Sequence, residues 1–137
     1  MVCIGNICRS PMAQAMLAAK LPHMRVLSAG LGALIGEPAD AFAQQLMAKR
    51  GLDISAHRAQ QVTSSLCQLA DIILVMDVDQ RRHLEALYPS VTGKVFTLAG
   101  INQGIPDPYQ QSLEMFEHTF ALIESAADAW IERIKRI

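Results

Sequence analysis

The stretch Asp71–Met76 reads DIILVM and decides the fold class. Its five consecutive apolar residues do not alternate with polar ones, which is typical of a strand covered on both faces in a parallel sheet. Met24–Ser28 and Lys94–Leu98 also predict short strands, each bounded by polar residues or glycine. The residues that lead into Cys3 supply a fourth strand.

Helical patterns fill the segments between these strands. Pro11–Lys20 predicts one helix, Ala39–Arg50 predicts a second that stops at Gly51, and Asp77–Tyr88 predicts a third with the aspartate as its N-cap. Because strands and helices alternate, we expect a small doubly wound three-layer α/β fold. It has a four-stranded parallel sheet with helices on both faces.

The C-terminal region predicts the longest helix. Its apolar residues recur at alternating spacings of three and four and form one stripe over about seven turns. A stripe of this kind favours a helix packed on the rest of the domain, with a coiled coil as the alternative. The stripe consists of Leu113, Phe116, Phe120, Ile123, Ala127, Trp130, Ile134 and Ile137.

Composition restricts the function classes. The 137 residues predict a single domain over 1–137, and a net charge of −1 gives no sign of nucleic-acid binding or a polybasic anchor. The longest stretches without Lys, Arg, Asp or Glu are 12 residues, Ala59–Ala70 and Val95–Pro106. A membrane span needs about 20 apolar residues. Only three cysteines are present, so we expect a soluble cytoplasmic domain without a structural metal site.

The segment MVCIGNICRSP at residues 1–11 carries the chemistry. If the chain curls after Cys3 and enters a helix at Pro11, its backbone N–H groups form a cradle for a tetrahedral oxyanion. Gly5 is predicted to supply a positive φ angle, with Asn6 the next most tolerant residue. Arg9 adds a planar fork that holds two phosphate oxygens. The predicted phosphate-binding loop is Ile4, Gly5, Asn6, Ile7, Cys8, Arg9 and Ser10.

The same loop activates the thiol of Cys3. A cysteine at a helix N-terminus beside an arginine is a thiolate at neutral pH, and the hydroxyl of Ser10 can hydrogen-bond to that charged form. A thiolate at the floor of an anion cradle is arranged to attack phosphorus. The alternative is a buried, inert Cys3 with a solvated Arg9, but the glycine, the proline and the following helix all favour the reactive loop.

The segment CIGNICRSP resembles the active-site loop of the low-molecular-weight protein-tyrosine phosphatases. The likeness extends through Ser28-Ala29-Gly30, Pro38 and Asp40, His57, Met76-Asp77 and Asp107-Pro108-Tyr109. The segments SAGLGALIG and IPDPY look most like bacterial members paired with tyrosine kinases of exopolysaccharide or capsule assembly. The resemblance implies a phosphatase for phosphotyrosine proteins, with a bacterial membrane tyrosine kinase as partner and no cofactor.

Asp107 is the expected general acid. Alone, Asp-Pro is mainly a turn signal. However, the residue follows the last predicted strand, and loops at the carboxyl ends of parallel strands meet at one edge of a sheet. The resemblance implies that Cys3 forms a cysteinyl-phosphate with Asp107 as acid, and that Asp107 then acts as base on water.

The resemblance also assigns supporting roles. Asn6, Ser10, Ser28 and His57 hold the loop in shape. Tyr109 forms one wall of the pocket, and Leu34 or its neighbour Ala33 forms the opposite rim. Cys8 is implied as a partner for a reversible disulfide with Cys3, whereas Cys67 lies in a predicted short helix and is expected to be buried and inert.

The chain departs from the family at three positions. Only Met1 and Val2 precede Cys3, which predicts a shortened first strand. Gln60 stands where the family often has arginine, and Gln110 stands where many eukaryotic members have a second tyrosine.

Two other functions remain open from the sequence alone. One is a thioredoxin-coupled arsenate reductase, which needs a further cysteine pair. The other is a catalytically weak module that binds an oxyanion or phosphotyrosine.

Overall fold

The sheet has four parallel strands in the order β2-β1-β3-β4. The computed structural model describes residues 1–101 and 103–137. The strands are β1 Val2–Cys3, β2 Ala29–Gly30, β3 Ile73–Val75 and β4 Val95–Thr97. The helices are α1 Arg9–Lys20, α2 Ala41–Lys49, α3 Ser64–Leu69, α4 Val78–Leu87 and α5 Leu113–Lys135, with a short 3-10 helix at Pro89–Val91.

Two apolar clusters cover the two faces of the sheet. One contains residues of α1, α2 and α5 and includes Leu74 and Met76. The other contains residues of α3 and α4 and includes Ile73 and Val75. Successive residues of β3 thus face opposite clusters, which explains why this part of the sequence shows no polar alternation. The predicted three-layer α/β fold is confirmed.

The strand predicted at Met24–Ser28 is wrong in position. Its counterpart, β2, is Ala29–Gly30, because its partner β1 has only two residues, with Val2 opposite Ala29 and Cys3 opposite Gly30. A strand needs a neighbouring backbone along its length. The residues before Ala29 therefore lie outside the ladder, although the nitrogen of Met1 still donates to Leu27 O at 2.8 Å.

Helix α1 begins two residues earlier than predicted. Arg9 is its first residue and Cys8 its N-cap, so Pro11 lies third in the helix and Ser10 is not the cap. Proline is still tolerated there, since the first turn of a helix has no internal acceptor for its N–H groups. The early start leaves the hydroxyl of Ser10 free to face the loop.

Helix α2 begins two residues later than predicted, because Asp40 is its N-cap, whereas the cap of α4 and the stop at Gly51 are confirmed. Asp40 caps α2 by accepting from Phe42 N at 2.9 Å, and Gly51 follows that helix with a φ of 74°. Asp77 caps α4 by accepting from Gln80 N at 2.8 Å. These caps fix where each chain segment leaves the edge of the sheet.

The C-terminal stripe packs within the fold and does not form a coiled coil. Phe116, Phe120, Ile123 and Trp130 are buried in the cluster shared with α1 and α2. The indole N–H of Trp130 donates to Leu98 O at 2.9 Å and ties α5 to the end of β4. The last residue of the stripe, Ile137, is exposed.

The two edges of the sheet differ. At the amino ends of the strands, a cavity of about 440 Å³ lies between Met24–Ala29 and Leu69–Leu74. At the carboxyl ends, the loops that follow β1, β3 and β4 converge, which is where ligands bind in open parallel sheets. The residues predicted to carry the chemistry lie at this second edge.

Candidate active site

Cys3 is the last residue of β1 and is 2% exposed. Its Sγ lies 2.9 Å from Ser10 Oγ, and the backbone N–H of Asn6 donates to the sulfur at 3.3 Å. Both groups can donate to a thiolate, and hydrogen bonds to a charged form favour that form. The sulfur therefore lies in a setting that stabilises negative charge.

Asn6 holds the loop together. Its Nδ2 donates to Ser10 Oγ at 2.7 Å and to Ser28 Oγ at 3.0 Å, while its Oδ1 accepts from Gln60 N at 2.9 Å. The Nε2 of His57 lies 2.6 Å from the carbonyl oxygen of Asn6. The structure thus brings all four predicted supporting residues to one point, with Gln60 as a fifth contributor.

The prediction of a positive φ angle at Gly5 is wrong. The left-handed conformation falls one residue later, at Asn6, with a φ of 58°. Asparagine tolerates this conformation better than most residues, and its side chain here gains three hydrogen-bond partners that offset the strain.

Gly30 is the glycine that the loop requires. A Cβ at this position would lie 2.3 Å from the carbonyl oxygen of Ile4, so only glycine lets β2 approach the loop so closely. The amide of Gly32 then donates to the same Ile4 oxygen at 3.0 Å. The side of the loop next to β2 is thus fixed by backbone contacts.

Three backbone amides of the loop are left without a protein partner, as the predicted cradle requires. Within residues 1–101 and 103–137, the N–H groups of Gly5, Ile7 and Cys8 donate to no protein acceptor. They lie between the sulfur of Cys3 and the N-terminus of α1, whose first-turn amides add to the positive field. This arrangement suits a tetrahedral oxyanion such as phosphate.

Arg9 joins the cradle to the loop that follows β4. Its side chain is buried, and its Nη1 donates to Ile105 O at 2.8 Å. Its Nη2 lies 3.6 Å from Asp107 Oδ2. Burial and the bond to Ile105 fix the guanidinium plane, which leaves its other N–H groups available to an anion.

Asp107 lies at the mouth of the pocket, and 48% of its side chain is exposed. Its Oδ1 accepts from Tyr109 N at 3.1 Å, while Oδ2 points toward Arg9. A cavity of about 330 Å³ adjoins it. The cavity is lined by Ile4, Arg9, Asp77, Asp79, Gln80, His83, Ile105, Pro106 and Asp107.

The two residues predicted to form the rim, and Ile4 in the loop, are exposed apolar side chains. Leu34, Ile4 and Tyr109 are each about two-fifths exposed. The amide of Leu34 donates to Gly5 O at 3.0 Å, which places Leu34 against the loop, whereas Ala33 is held by Gln61 through its own amide at 2.9 Å. Tyr109 lies on the side of Asp107. The two predicted rim residues are therefore attached to the two different loops.

The family's sequence model, described as low molecular weight phosphotyrosine protein phosphatase, matches residues 1–137. The chain belongs to this phosphatase family. It is 53% identical over 137 residues to the probable low molecular weight protein-tyrosine-phosphatase EpsP of Ralstonia solanacearum, covering 99% of this chain and 94% of that one. Family membership makes the chain a protein-tyrosine phosphatase and favours this function over the arsenate reductase alternative.

Solved structures of other phosphatases share the fold. Vibrio vulnificus Wzb in complex with benzylphosphonate is 42% identical, with a TM-score of 0.92 and coverage of 96% of this chain and 94% of that one. The YwlE arginine phosphatase of Geobacillus stearothermophilus is 31% identical, with a TM-score of 0.94 and coverage of 98% and 90%. The same fold therefore occurs in phosphatases that are named for different substrates.

Sequence reasoning missed three glutamines around the phosphatase site. Gln60 Nε2 donates to Ser28 O at 2.9 Å, Gln61 Nε2 donates to Leu31 O at 2.7 Å, and Gln80 Oε1 accepts from Met76 N at 3.0 Å. Gln80 had a readable signal, since it follows the N-cap of α4 by three residues, as glutamine does in a capping box. Gln60 and Gln61 had none.

Two further observations concern metals and membranes. Among the described residues, no group of three or more His, Cys, Asp or Glu side chains could hold a metal ion. Cys3, Cys8 and Cys67 are free thiols, and Cys67 is buried in α3 as expected. No helix in the described part of the chain is long and apolar enough to cross a membrane.

Proposed function

We propose that the chain hydrolyses phosphotyrosine in proteins through a cysteinyl-phosphate intermediate. The observation that carries the proposal is the junction of two loops. The cradle around Cys3 and the loop of Asp107 meet through Arg9, whose guanidinium lies 3.6 Å from the carboxylate. Nucleophile, anion-binding groups and a proton donor thus lie at the same edge of the sheet, as phosphoryl transfer requires.

In the first step, the Cys3 thiolate attacks phosphorus and an S–P bond forms. The bond from phosphorus to the phenolic oxygen breaks, and Asp107 gives its proton to that oxygen as tyrosine leaves. Arg9 and the amides of Gly5, Ile7 and Cys8 hold the three equatorial oxygens throughout, so the charge of the transition state meets donors that are already in place.

In the second step, the Asp107 carboxylate takes a proton from water, and the water oxygen attacks phosphorus. The S–P bond breaks, phosphate leaves and the Cys3 thiolate is restored. Ser10 and the amide of Asn6 stabilise the leaving sulfur, since both can donate to it at the distances given above. The cycle needs no metal ion or organic cofactor.

The depth of the pocket supports an aromatic phosphoester. Cys3 is buried, while Leu34 and Tyr109 at the rim are partly exposed, so a long, flat side chain would reach the sulfur with its ring between them. Benzylphosphonate, the ligand of the Vibrio vulnificus Wzb structure, has this shape. Phosphoarginine is the competing substrate, because the YwlE arginine phosphatase shares the fold.

The proposed biological substrate is a phosphotyrosine protein, specifically a bacterial membrane tyrosine kinase in polysaccharide production. The similarity to EpsP and Wzb supports this partner, as does the resemblance of the segments SAGLGALIG and IPDPY to such members. We place the enzyme in the cytoplasm, as one phosphatase domain over residues 1–137. Its free cysteine thiols suit a reducing compartment.

The test is hydrolysis of p-nitrophenyl phosphate between pH 4 and 9 by the wild type, Cys3→Ser and Asp107→Ala, with and without a chelator. We expect metal-independent activity that is highest at acidic pH, because Asp107 must be protonated while Cys3 is ionised. Cys3→Ser should be inactive, and Asp107→Ala should lose about 10²–10⁴-fold. Activity that rises steadily to pH 9 would contradict the assignment of Asp107.

Substrate comparison completes this test. Phosphotyrosine, phosphoserine and phosphoarginine peptides are offered to the same wild-type sample, and we expect turnover of the phosphotyrosine peptide to dominate. Faster turnover of phosphoarginine would overturn the proposed substrate while leaving the mechanism intact. A folded wild type that binds phosphate without turning any substrate over would identify a binding module instead.

A further inference from the structure

Gln80 is a buried polar side chain that the proposed mechanism does not use. It lies in the first turn of α4 and is 3% exposed. Its backbone N–H donates to the cap Asp77, whereas its carboxamide turns back toward the sheet, where Oε1 accepts from Met76 N at 3.0 Å. Burying a carboxamide is unfavourable unless it is hydrogen-bonded, so this contact is a defined part of the structure.

The bond to Met76 is the first of three that lead to the anion cradle. Met76 follows the last residue of β3, and its carbonyl oxygen accepts from Ile105 N at 2.8 Å. The carbonyl oxygen of Ile105 accepts in turn from Arg9 Nη1 at 2.8 Å. The carboxamide of Gln80 is therefore connected to the guanidinium through two backbone segments and no other side chain.

Ile105 is the point where this series of bonds meets the general acid. It is buried and is followed directly by Pro106 and Asp107. Proline fixes its own φ angle and restricts the residue before it, so a shift of Ile105 carries Asp107 with it. One backbone position thus sets the location of both Arg9 and Asp107.

We propose that Gln80 is a positioning residue of the phosphatase reaction. Its carboxamide fixes the amide of Met76, and the carbonyl oxygen of Met76 fixes Ile105. Ile105 in turn orients Arg9 toward phosphate and Asp107 toward the leaving group. The proposal rests on the functions proposed above for Arg9 and Asp107. Gln80 also lines the cavity next to these two residues, which puts α4 directly beside the reacting groups.

A loss of positioning can be distinguished from a loss of stability, because only the loss of positioning depends on the leaving group of the substrate. p-Nitrophenolate is a better leaving group than the phenolate of tyrosine, so its departure depends less on a proton from Asp107. If Gln80 positions Asp107, its loss slows phosphotyrosine hydrolysis more than p-nitrophenyl phosphate hydrolysis. A fall in the folded fraction slows both by the same factor.

The test variant is Gln80→Met, which keeps the length of the side chain and removes the acceptor for Met76 N. The matched control is Gln44→Met on α2, because the carboxamide of Gln44 donates to the backbone of Ala39 at 2.8 Å, outside the series that leads to Arg9. For Gln80→Met we expect kcat/KM to fall about 10–100-fold with phosphotyrosine and less than about fivefold with p-nitrophenyl phosphate. Inhibition by inorganic phosphate should weaken as well.

The control should keep the wild-type ratio between the two substrates. Equal losses on both substrates by Gln80→Met with unchanged inhibition by phosphate, or no loss, would overturn the proposal. If that variant does not fold, Gln80→Asn serves in its place, since it is one methylene too short to reach Met76 and should give the same substrate dependence. An inactive wild type would contradict the proposed function itself and not the role of Gln80.

Discussion

The loop after Cys3 and the loop that carries Asp107 face one pocket but are held in different ways. The first accepts hydrogen bonds from Gly32, just after β2, and from Asp40, the N-cap of α2, through the carbonyl oxygens of Ile4 and Ile7, and the side chain of Asn6 holds it from inside. Among the described residues of the second loop, Ile105 bonds to Met76 and Arg9, while Asp107 is half exposed. The phosphate-binding half is therefore preformed, whereas the position of the acid depends on few contacts.

Arg9→Lys should have a larger effect than changes in the support of either loop or at the rim, because the Arg9 side chain bonds to Ile105 and lies beside Asp107. Lysine keeps the charge but cannot bond to Ile105 O and also grip two phosphate oxygens in one plane. We expect kcat/KM for p-nitrophenyl phosphate to fall about 10²–10³-fold. The matched control is Arg50→Lys, an exposed arginine paired with Glu124, which should change activity less than about twofold. Near-normal activity of Arg9→Lys would show that the two loops do not depend on this side chain.

Cys3 and Cys8, its neighbour in the loop, should differ in the reactivity of their thiols. Burial raises the pKa of the Cys8 thiol, as does the nearby carboxylate of Asp40, and burial also raises the pKa of Cys67. A raised pKa keeps a thiol protonated at neutral pH, and the reactive thiolate forms only as the pH rises well above the ordinary value. At pH 7, iodoacetamide should alkylate Cys3 about 100-fold faster than either, as followed by peptide mass spectrometry.

The control for this labelling is the chain in urea, where all three cysteines should react at similar rates. Equal labelling of Cys3 and Cys8 in the folded chain would mean that the cradle does not activate the nucleophile. The raised pKa of Cys8 also predicts that its labelling stays slow when the pH is raised from 7 to 9, whereas an ordinary thiol becomes reactive there.

Asn6→Ala tests how far the first loop depends on one side chain. The substitution removes the donor to Ser10 and Ser28, leaves the amide of Gln60 without its acceptor and keeps the strained φ angle. We expect a loss of about 1–3 kcal/mol in the free energy of unfolding, measured in urea, and about a tenfold fall in kcat. Gln110→Ala is the matched control, since Gln110 has a φ of 60° in the acid loop. It should change stability by less than about 0.5 kcal/mol, and a similar loss in both variants would contradict the comparison.

The sequence predicted the layers and the reacting groups because both depend on local patterns. The apolar run of β3 needs cover on two faces, and a cysteine, an arginine and a helix start are close in sequence. The strand predicted at Met24–Ser28 is misplaced because pairing with β1 determines where that strand begins and ends. Conformational propensity predicts the positive φ angle at Gly5, whereas the tertiary hydrogen bonds of Asn6 stabilise it one residue later.

The supporting glutamines could be predicted only in part. Gln80 lies three residues after a helix cap, which is a local signal, but its connection to Arg9 runs through Met76 and Ile105, which are 29 residues apart in sequence. Such a connection exists only once β3 and the acid loop are assembled. Gln60 and Gln61 act on Ser28 and Leu31 across the edge of the sheet, so nothing in their own neighbourhood indicates their role.

Substitutions at the predicted rim should give the smallest effect. They compare the two loops directly, since Leu34 lies against the loop after Cys3 and Tyr109 belongs to the loop that carries Asp107. Changing either residue to alanine removes only part of an apolar contact with the substrate, worth about 1 kcal/mol of binding free energy. We expect KM for a phosphotyrosine peptide to rise about two- to fivefold, with kcat unchanged for Leu34→Ala. Leu87→Ala, a similarly exposed leucine at the far end of α4, is the control. Tyr109→Ala keeps the backbone N–H that bonds to Asp107, so kcat should stay near the wild-type value in this variant too, and a marked fall in kcat would show that the tyrosine side chain itself positions the acid.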